Sequence, residues 1–381
     1  IYNPLISLNE FGGSFQPVKV DDFHSFNLNR QKTCPGSMNA TSTHDTKKSE
    51  DVRARLNVLS EIPEEWQACL QRWSTLNLAK KVVVNGNPVP DRNQEVFLYQ
   101  TMLGAWPLDP AEVPAFKERL QAYLIKTARE AMVHTRWVAP QLDHENGLLA
   151  FLDAILDEAG NQEFIKDFRQ LQSRLAYFGT LNSLSQLLLK LASPGVPDFY
   201  QGTELWDFSL VDPDNRRPVD FARRTRLLND LKQQEKHGRA GLVAGLLSHW
   251  QDGRLKLYVT YQGLKLRRTY PEIFRQGAYL PLAVQGQRQN QVLALARRQD
   301  HDWILAVAGR FFTTLTPAGQ PPTGREVWGD TEVILPPEAP VAWEDIFTGR
   351  VCEAREAATL KHLPLQKVLQ HLPVAFLSGF S

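Results

Sequence analysis

The stretch Ala40-Thr41-Ser42-Thr43-His44-Asp45-Thr46-Lys47-Lys48-Ser49-Glu50-Asp51-Val52-Arg53-Ala54-Arg55 decides how the rest of the chain is read. Ala40 to Thr43 is small and β-branched, which predicts a short buried strand that stops at a His-Asp pair. A charged run of helical composition follows. In a parallel α/β barrel, ligand groups collect at the carboxyl ends of the strands, where backbone pairing has finished and side chains face an open crevice. His44 and Asp45 are expected in such a place. Taken alone, Asp45 equally suits a helix N-cap, with Thr46 or Ser49 sharing that task, and Lys47 and Lys48 equally suit a solvated helix face.

A second stretch, Ser193-Pro194-Gly195-Val196-Pro197-Asp198-Phe199-Tyr200-Gln201-Gly202-Thr203-Glu204-Leu205, also reads as a short strand ending in polar residues. In this order the two runs resemble the last two barrel strands of the α-amylase family, in which His-Asp ends the seventh strand and G-x-P-x-x-Y-x-G-x-E forms the eighth. Thr43 to Arg55 and Leu210-Val211-Asp212-Pro213-Asp214-Asn215-Arg216-Arg217-Pro218-Val219-Asp220 narrow the resemblance to maltooligosyltrehalose synthases, which rearrange the reducing-end linkage of a maltooligosaccharide into trehalose. Asn9-Glu10-Phe11-Gly12-Gly13, Glu95 to Trp106 and Arg129-Glu130-Ala131-Met132-Val133-His134-Thr135-Arg136-Trp137 are similar to that family as well, so the resemblance spans nearly the whole chain. Lys48, where the family pattern has Arg, and Phe11, where it has Val, are small departures. One departure is large. The family's nucleophilic Asp and acid/base Glu end the fourth and fifth strands, ahead of anything present here. The chain starts at Ile1 without an initiator Met, in what reads as the end of the sixth barrel helix. The resemblance therefore implies a carboxy-terminal portion of a longer enzyme, holding one of three catalytic carboxylates and inactive alone.

The resemblance also implies roles. Asp45 is the third carboxylate, binding the 2- and 3-hydroxyls of the sugar undergoing cleavage and tightening as the ring flattens toward an oxocarbenium ion. His44 donates to the same hydroxyls. Lys47, Lys48, Asp212, Asp214, Asn215 and Arg216 supply further polar contacts, Tyr200 an apolar face, and Gln201 and Glu204 the rim. Read from the residues alone, the Asp212 to Arg217 run equally describes a turn whose Arg pairs with a nearby Asp. Two other functions stay open: a related trehalose-releasing hydrolase, and a non-catalytic glucan-binding unit. The implied partners are a maltooligosaccharide, the remaining barrel half, and a second copy covering the exposed barrel edge. No cofactor is implied, as neither a Gly-rich phosphate loop nor a metal-spaced His/Cys cluster is present.

Composition agrees. At 43% hydrophobic and 22% charged, the 381 residues are those of a globular protein with two or three cores. A net charge of +1 gives no reason to expect nucleic acid or an anionic membrane. Cys34, Cys69 and Cys352 are odd in number and far apart, which suggests no disulfide framework and a reducing, cytoplasmic home. No apolar run approaches the roughly 18 to 20 residues that span a bilayer.

The expected fold class is α/β plus all-β: the end of a (β/α)8 barrel contributing its last two strands, a large helical insertion, and a carboxy-terminal antiparallel β-sandwich. Residues 1–50 read as barrel end, 51–163 as insertion, 164–237 as the last barrel elements and 238–381 as sandwich. Phe23 to Gly36 reads as loop, with His24 as a surface histidine. In the insertion, Trp66, Leu70 and Trp73 fall at helical spacing and read as core, whereas Asp51, Arg53 and Arg55 fall opposite Val52, Leu56 and Leu59. Phe164 to Leu191 is a long apolar-rich helix that returns the chain parallel to the first strand, and Phe221 to Lys236 is a helix capped by Asp220. Runs rich in Val, Leu, Ile and aromatics, at 253–271, 278–282, 291–297, 303–310, 331–335, 343–347 and 374–377, read as strands, with some helix also open for Leu257 to Phe274.

Overall fold

The computed structural model describes residues 19–357 and 359–380. The Asn9 to Gly13 run and the helix end expected at Ile1 to Leu8 lie outside them. In chain order come α1 (Val20–Thr33), β1 (Met38–Asn39), α2 (Glu50–Asn57), α3 (Pro63–Asn77), β2 (Val82–Val84), β3 (Asn87–Val89), α4 (Arg92–Ala105), α5 (Val113–Ala131), α6 (Leu142–Ile155), α7 (Gln162–Ala192) and β4 (Val196–Pro197). Then follow α8 (Phe221–Glu235), α9 (Arg239–Ser248), α10 (Arg254–Thr269), α11 (Pro271–Arg275), β5 (Ala278–Leu282), β6 (Val284–Gln285), β7 (Val292–Gln299), β8 (Asp302–Gly309), α12 (Arg325–Trp328), β9 (Glu332–Leu335), β10 (Ala342–Asp345), β11 (Val351–Glu353), β12 (Arg355–Ala357), β13 (Leu360–Pro364), α13 (Leu365–Val368) and β14 (Val374–Phe380). The described residues divide into two compact units, one made of 42–179 and 208–217, the other of 19–41, 180–207 and 218–380.

The first unit is helical around an aromatic core. Trp73 is fully buried, as its helical spacing predicts, and meets Tyr99 edge-on at 5.3 Å and Phe164 at 5.6 Å, while Trp106 meets Phe168 at 4.9 Å. Rings packed edge to face put positive rims against negative faces and fill volume without strain. Pro63 opens α3, where a missing N–H costs nothing. Asp91 and Gln94 form a capping box on α4: Gln94 N–H donates to Asp91 Oδ1 at 2.8 Å, and Asp91 N–H donates to Gln94 Oε1 at 3.2 Å. The charged face expected on α2 is corrected. Glu50, Asp51 and Arg55 are buried. The Arg55 guanidinium lies 3.5 Å from the Phe208 ring centre and donates to the carbonyls of Gly104 and Trp106 at 3.1 and 2.6 Å. Burial pulls it down to about 9.

In the second unit, β11-β10-β14-β8-β7-β5 form a six-stranded sheet and β12-β13-β9-β6 a four-stranded one, antiparallel throughout. Strand alternation sorts the side chains of the larger sheet. Ala294, Ala296, Leu305, Val307, Ala375 and Leu377 share one core with Val333, Leu335 and Leu363 of the smaller sheet. Their neighbours Leu293, Leu295, Ile304, Ala306, Val374 and Phe376 share another with Leu188, Leu191, Leu255 and Tyr258 of the helices. Both faces are covered, which is why β7 and β8 read as nearly unbroken apolar runs. The strand expected within 253–271 is α10, and the loop expected across Phe23 to Gly36 is largely α1. His24 is buried, not at the surface, with Nδ1 2.8 Å from the Tyr279 hydroxyl.

The parallel partner expected for the first strand is present, two residues early. β1 and β4 pair parallel, Met38 opposite Val196 and Asn39 opposite Pro197, and Ala40 to Thr43 is not strand. Gly195 makes the pairing possible. Its φ is +115°, and a Cβ there would stand 2.5 Å from the Ser37 carbonyl oxygen. Asn39 Nδ2 clips the same place by donating to the Pro194 carbonyl at 3.0 Å.

Candidate functional site

The backbone after β1 bends through a turn that uses its own threonines. Thr46 Oγ1 donates to the Thr43 carbonyl at 2.9 Å and accepts the Thr43 N–H at 3.2 Å, while Asp45 N–H donates to Thr43 Oγ1 at 3.2 Å. Short hydroxyl side chains compete well for turn amides, so the sequence Thr-His-Asp-Thr closes on itself. His44 and Asp45 are left exposed at the tip. Among the described residues, no hydrogen bond or ion pair engages the His44 imidazole or the Asp45 carboxylate. Nor is Asp45 the N-cap of α2. That position is Ser49, and the Glu50 N–H is met by Ser42 Oγ at 2.9 Å.

The Asp212 to Arg217 segment belongs to the same unit and holds this turn from behind. Asn215 Nδ2 donates to the carbonyls of His44 and Thr43 at 3.0 and 3.4 Å. Its Oδ1 is buried without a hydrogen-bond partner among the described residues. Asp214 is nearly buried and is shared by Arg119 at 2.8 Å, Arg217 at 2.8 Å and the Leu210 N–H at 2.8 Å. Asp212 and Arg216 pair with each other at 2.7 Å and are exposed. Thus Asn215 touches the turn backbone, and Asp214 ties the loop to α5. Lys47 lies 4.0 Å from Glu130. Lys48 is fully buried, with Nζ 4.7 Å from the Phe97 ring centre and 3.3 Å from the Tyr123 hydroxyl. Neither the solvated helix face nor the sugar contact expected of Lys48 fits that place, and an ammonium over two rings accounts for it.

Tyr200, Gln201 and Glu204 belong to the second unit. The Tyr200 carbonyl accepts the Thr203 N–H and Oγ1 at 3.1 and 2.7 Å, so the chain turns directly after β4. Gln201 is exposed. Glu204 accepts from Arg224 Nε at 2.8 Å, and the same guanidinium donates to the Gly202 carbonyl at 2.8 Å. Lys190 spans the end of β4, donating to Thr41 Oγ1 and to the Asp198 carbonyl at 2.8 and 2.9 Å.

Sequence reasoning missed a polar group in the helical unit. Asp91 Oδ2 and His134 Nε2 are 2.7 Å apart, and the His134 ring stacks on His144 at 4.5 Å. Burial tends to raise Asp91, but the Gln94 N–H and His134 outweigh it and hold the carboxyl low. Burial and the neighbouring His134 lower His144. The signal was present in the Arg129 to Trp137 run and in the turn-rich Asn85 to Asp91 segment, but nothing in either says that they meet. Among the described residues, no group of three His, Cys, Asp or Glu is arranged to hold a metal, and no helix is long and apolar enough to cross a membrane.

No protein-family model matches the chain. It is 34% identical over 375 residues to a Mycobacterium tuberculosis protein described as "Putative maltooligosyl trehalose synthase", covering 98% of this chain and 42% of that relative. Maltooligosyltrehalose synthase from Arthrobacter ramosus has a TM-score of 0.74 at 33% identity, covering 95% of this chain and 41% of that one. A Sulfolobus tokodaii structure described as a "hypothetical maltooligosyl trehalose synthase" has a TM-score of 0.69 at 31% identity, covering 99% and 44%. The chain thus spans about two-fifths of the length of these relatives. Over that span its sequence and fold are similar to those of maltooligosyltrehalose synthases, in keeping with a carboxy-terminal portion of such a protein.

Proposed function

We propose that the chain is part of an intramolecular glucosyltransferase that converts the reducing-end α-1,4 linkage of a maltooligosaccharide into an α,α-1,1 linkage. β1 and β4 are then the seventh and eighth strands of a barrel whose nucleophile and acid/base lie in the rest of the parent protein. Asp45 binds the 2- and 3-hydroxyls of the sugar being transferred, and His44 donates to them. Asn215 fixes the turn that carries both, and Tyr200, Gln201 and Glu204 line the neighbouring strand end. The observation that carries this reading is the exposed His-Asp pair on a turn otherwise closed by its own hydrogen bonds. The firm backbone fixes where the two side chains start, and their hydrogen-bonding groups are left to meet a ligand.

In a retaining enzyme one carboxylate attacks the anomeric carbon, and a second protonates the departing oxygen. The released glucose then turns, and its 1-hydroxyl attacks the glycosyl intermediate and gives its proton to that second carboxylate. Asp45 acts in both steps by holding hydroxyls more tightly in the flattened ring than in the ground state. The chain alone is expected to form no trehalose. Joined to the remaining barrel, it is expected to do so, and Asp45→Asn to lower the rate about 10²- to 10³-fold, as loss of a transition-state contact does in a dry site. A near-normal rate in that variant removes the role. Free trehalose in place of chain-length conservation identifies the hydrolase instead.

A further inference from the structure

A cleft of about 520 Å³ in the helical unit is lined by the β2–β3 hairpin and by the chain from His134 to His144, and none of the sugar-contacting residues proposed above borders it. We propose that it binds a neutral α-glucan, a choice of ligand that rests on the reading above.

Its two imidazoles come as a matched pair. In the capping box, Gln94 Oε1 accepts the Asp91 N–H, which turns the amide Nε2 toward His144 Nε2 at 3.0 Å. His144 therefore accepts at Nε2 and carries its proton on Nδ1. His134 gives its Nε2 proton to Asp91 Oδ2 at 2.7 Å, and in the neutral ring this leaves the Nδ1 lone pair as an acceptor. The rings stack 4.5 Å apart with 24° between planes, and both residues line the cleft. A sugar carries hydroxyls that both give and take hydrogen bonds, which suits a wall offering a donor and an acceptor.

The frame is rigid. Thr135 Oγ1 donates to Glu145 Oε1 at 2.6 Å, Arg129 grips Glu145 through two bonds at 2.8 and 2.6 Å, and the Gln141 N–H donates to Thr135 Oγ1 at 3.0 Å. Asp91 and Asp143 outnumber Arg136 among the lining charges, which disfavours a phosphate.

The test follows the histidine ring signals of this chain by NMR during titration with maltotetraose, with inorganic phosphate as the contrast. His134→Gln and His144→Gln assign the signals. Saturable movement of both with maltotetraose is expected, and Gln141→Ala combined with Asn87→Ala, both at exposed positions, is expected to raise the fitted Kd about tenfold. Still signals, movement with phosphate alone, or an unchanged Kd in the double variant overturns the proposal. Signals that move in a chain whose completed parent makes no trehalose defeat the reading above and leave this one standing. Still signals in a chain whose parent makes trehalose do the opposite.

Discussion

Asp45 and Asp214 are both acidic residues of the first unit, and their surroundings separate them. Asp45 is exposed without a protein partner among the described residues, so Asp45→Asn is expected to change stability by less than about 0.5 kcal/mol. Asp214 serves two guanidinium groups and a backbone N–H, and Asp214→Asn is expected to cost about 1–3 kcal/mol, read by urea denaturation. The reverse order of effects removes the distinction between a ligand group and a structural one. Glu145 makes a pH prediction. Its carboxyl is held low, first by Arg129 and then by Thr135, against the opposing effect of burial. A depressed folded pKa gives stability that is present above the ordinary value of 4.5 and lost as pH falls below it. Glu145→Gln is therefore expected to lower stability at neutral pH and to flatten its fall on acidification, measured as Tm against pH. Asp345 runs the other way. Burial pushes it up to about 6, so its effect favours folding below the ordinary 3.8 and fades as pH rises through 6.

At the scale of elements, the β1–β4 pair depends on one residue without a side chain. Gly195→Ala meets both a positive φ and the Ser37 carbonyl, and is expected to cost more than the roughly 1 kcal/mol of an ordinary loop substitution. A Tm equal to that of the unaltered chain argues against the pairing. The six-stranded sheet makes a stronger demand. Leu305 sits opposite Ala296 on one side and Leu377 on the other and is fully buried, so Leu305→Ala is expected to lose about 2–5 kcal/mol. The His-Asp stretch shows how far an element can be read in advance. The helix after the His-Asp pair was legible there, but the strand expected at Ala40 to Thr43 lies at Met38–Asn39 because Asn39 and Gly195 set the pairing from outside the quoted run. The strand reading of Gly253 to Pro271 failed for a similar reason, whereas the helix left open for Leu257 to Phe274 is what the chain forms. Its Leu, Val and Tyr content suits strand or helix, and burial against α8 and the large sheet supports the helix.

For the molecule as a whole, motif order and spacing were enough to name the relatives: His44-Asp45, Gly195 to Glu204 and Asp212 to Arg217 needed no coordinates. Local pattern was also enough for the long α7, for the capping of α8 by Asp220, and for the alternation that puts Leu305 and Ile304 on opposite faces, because each follows from neighbours in sequence. Tertiary structure alone decided which charges are spent inside the protein. Lys48, Arg55 and Asp214 look like surface or ligand groups until Phe97, Phe208 and Arg119 are brought to them from distant positions. It alone brought Asp91, His134 and His144 together. A side chain's chemistry is local, whereas its burial and its partners are set by segments that sequence order keeps far apart.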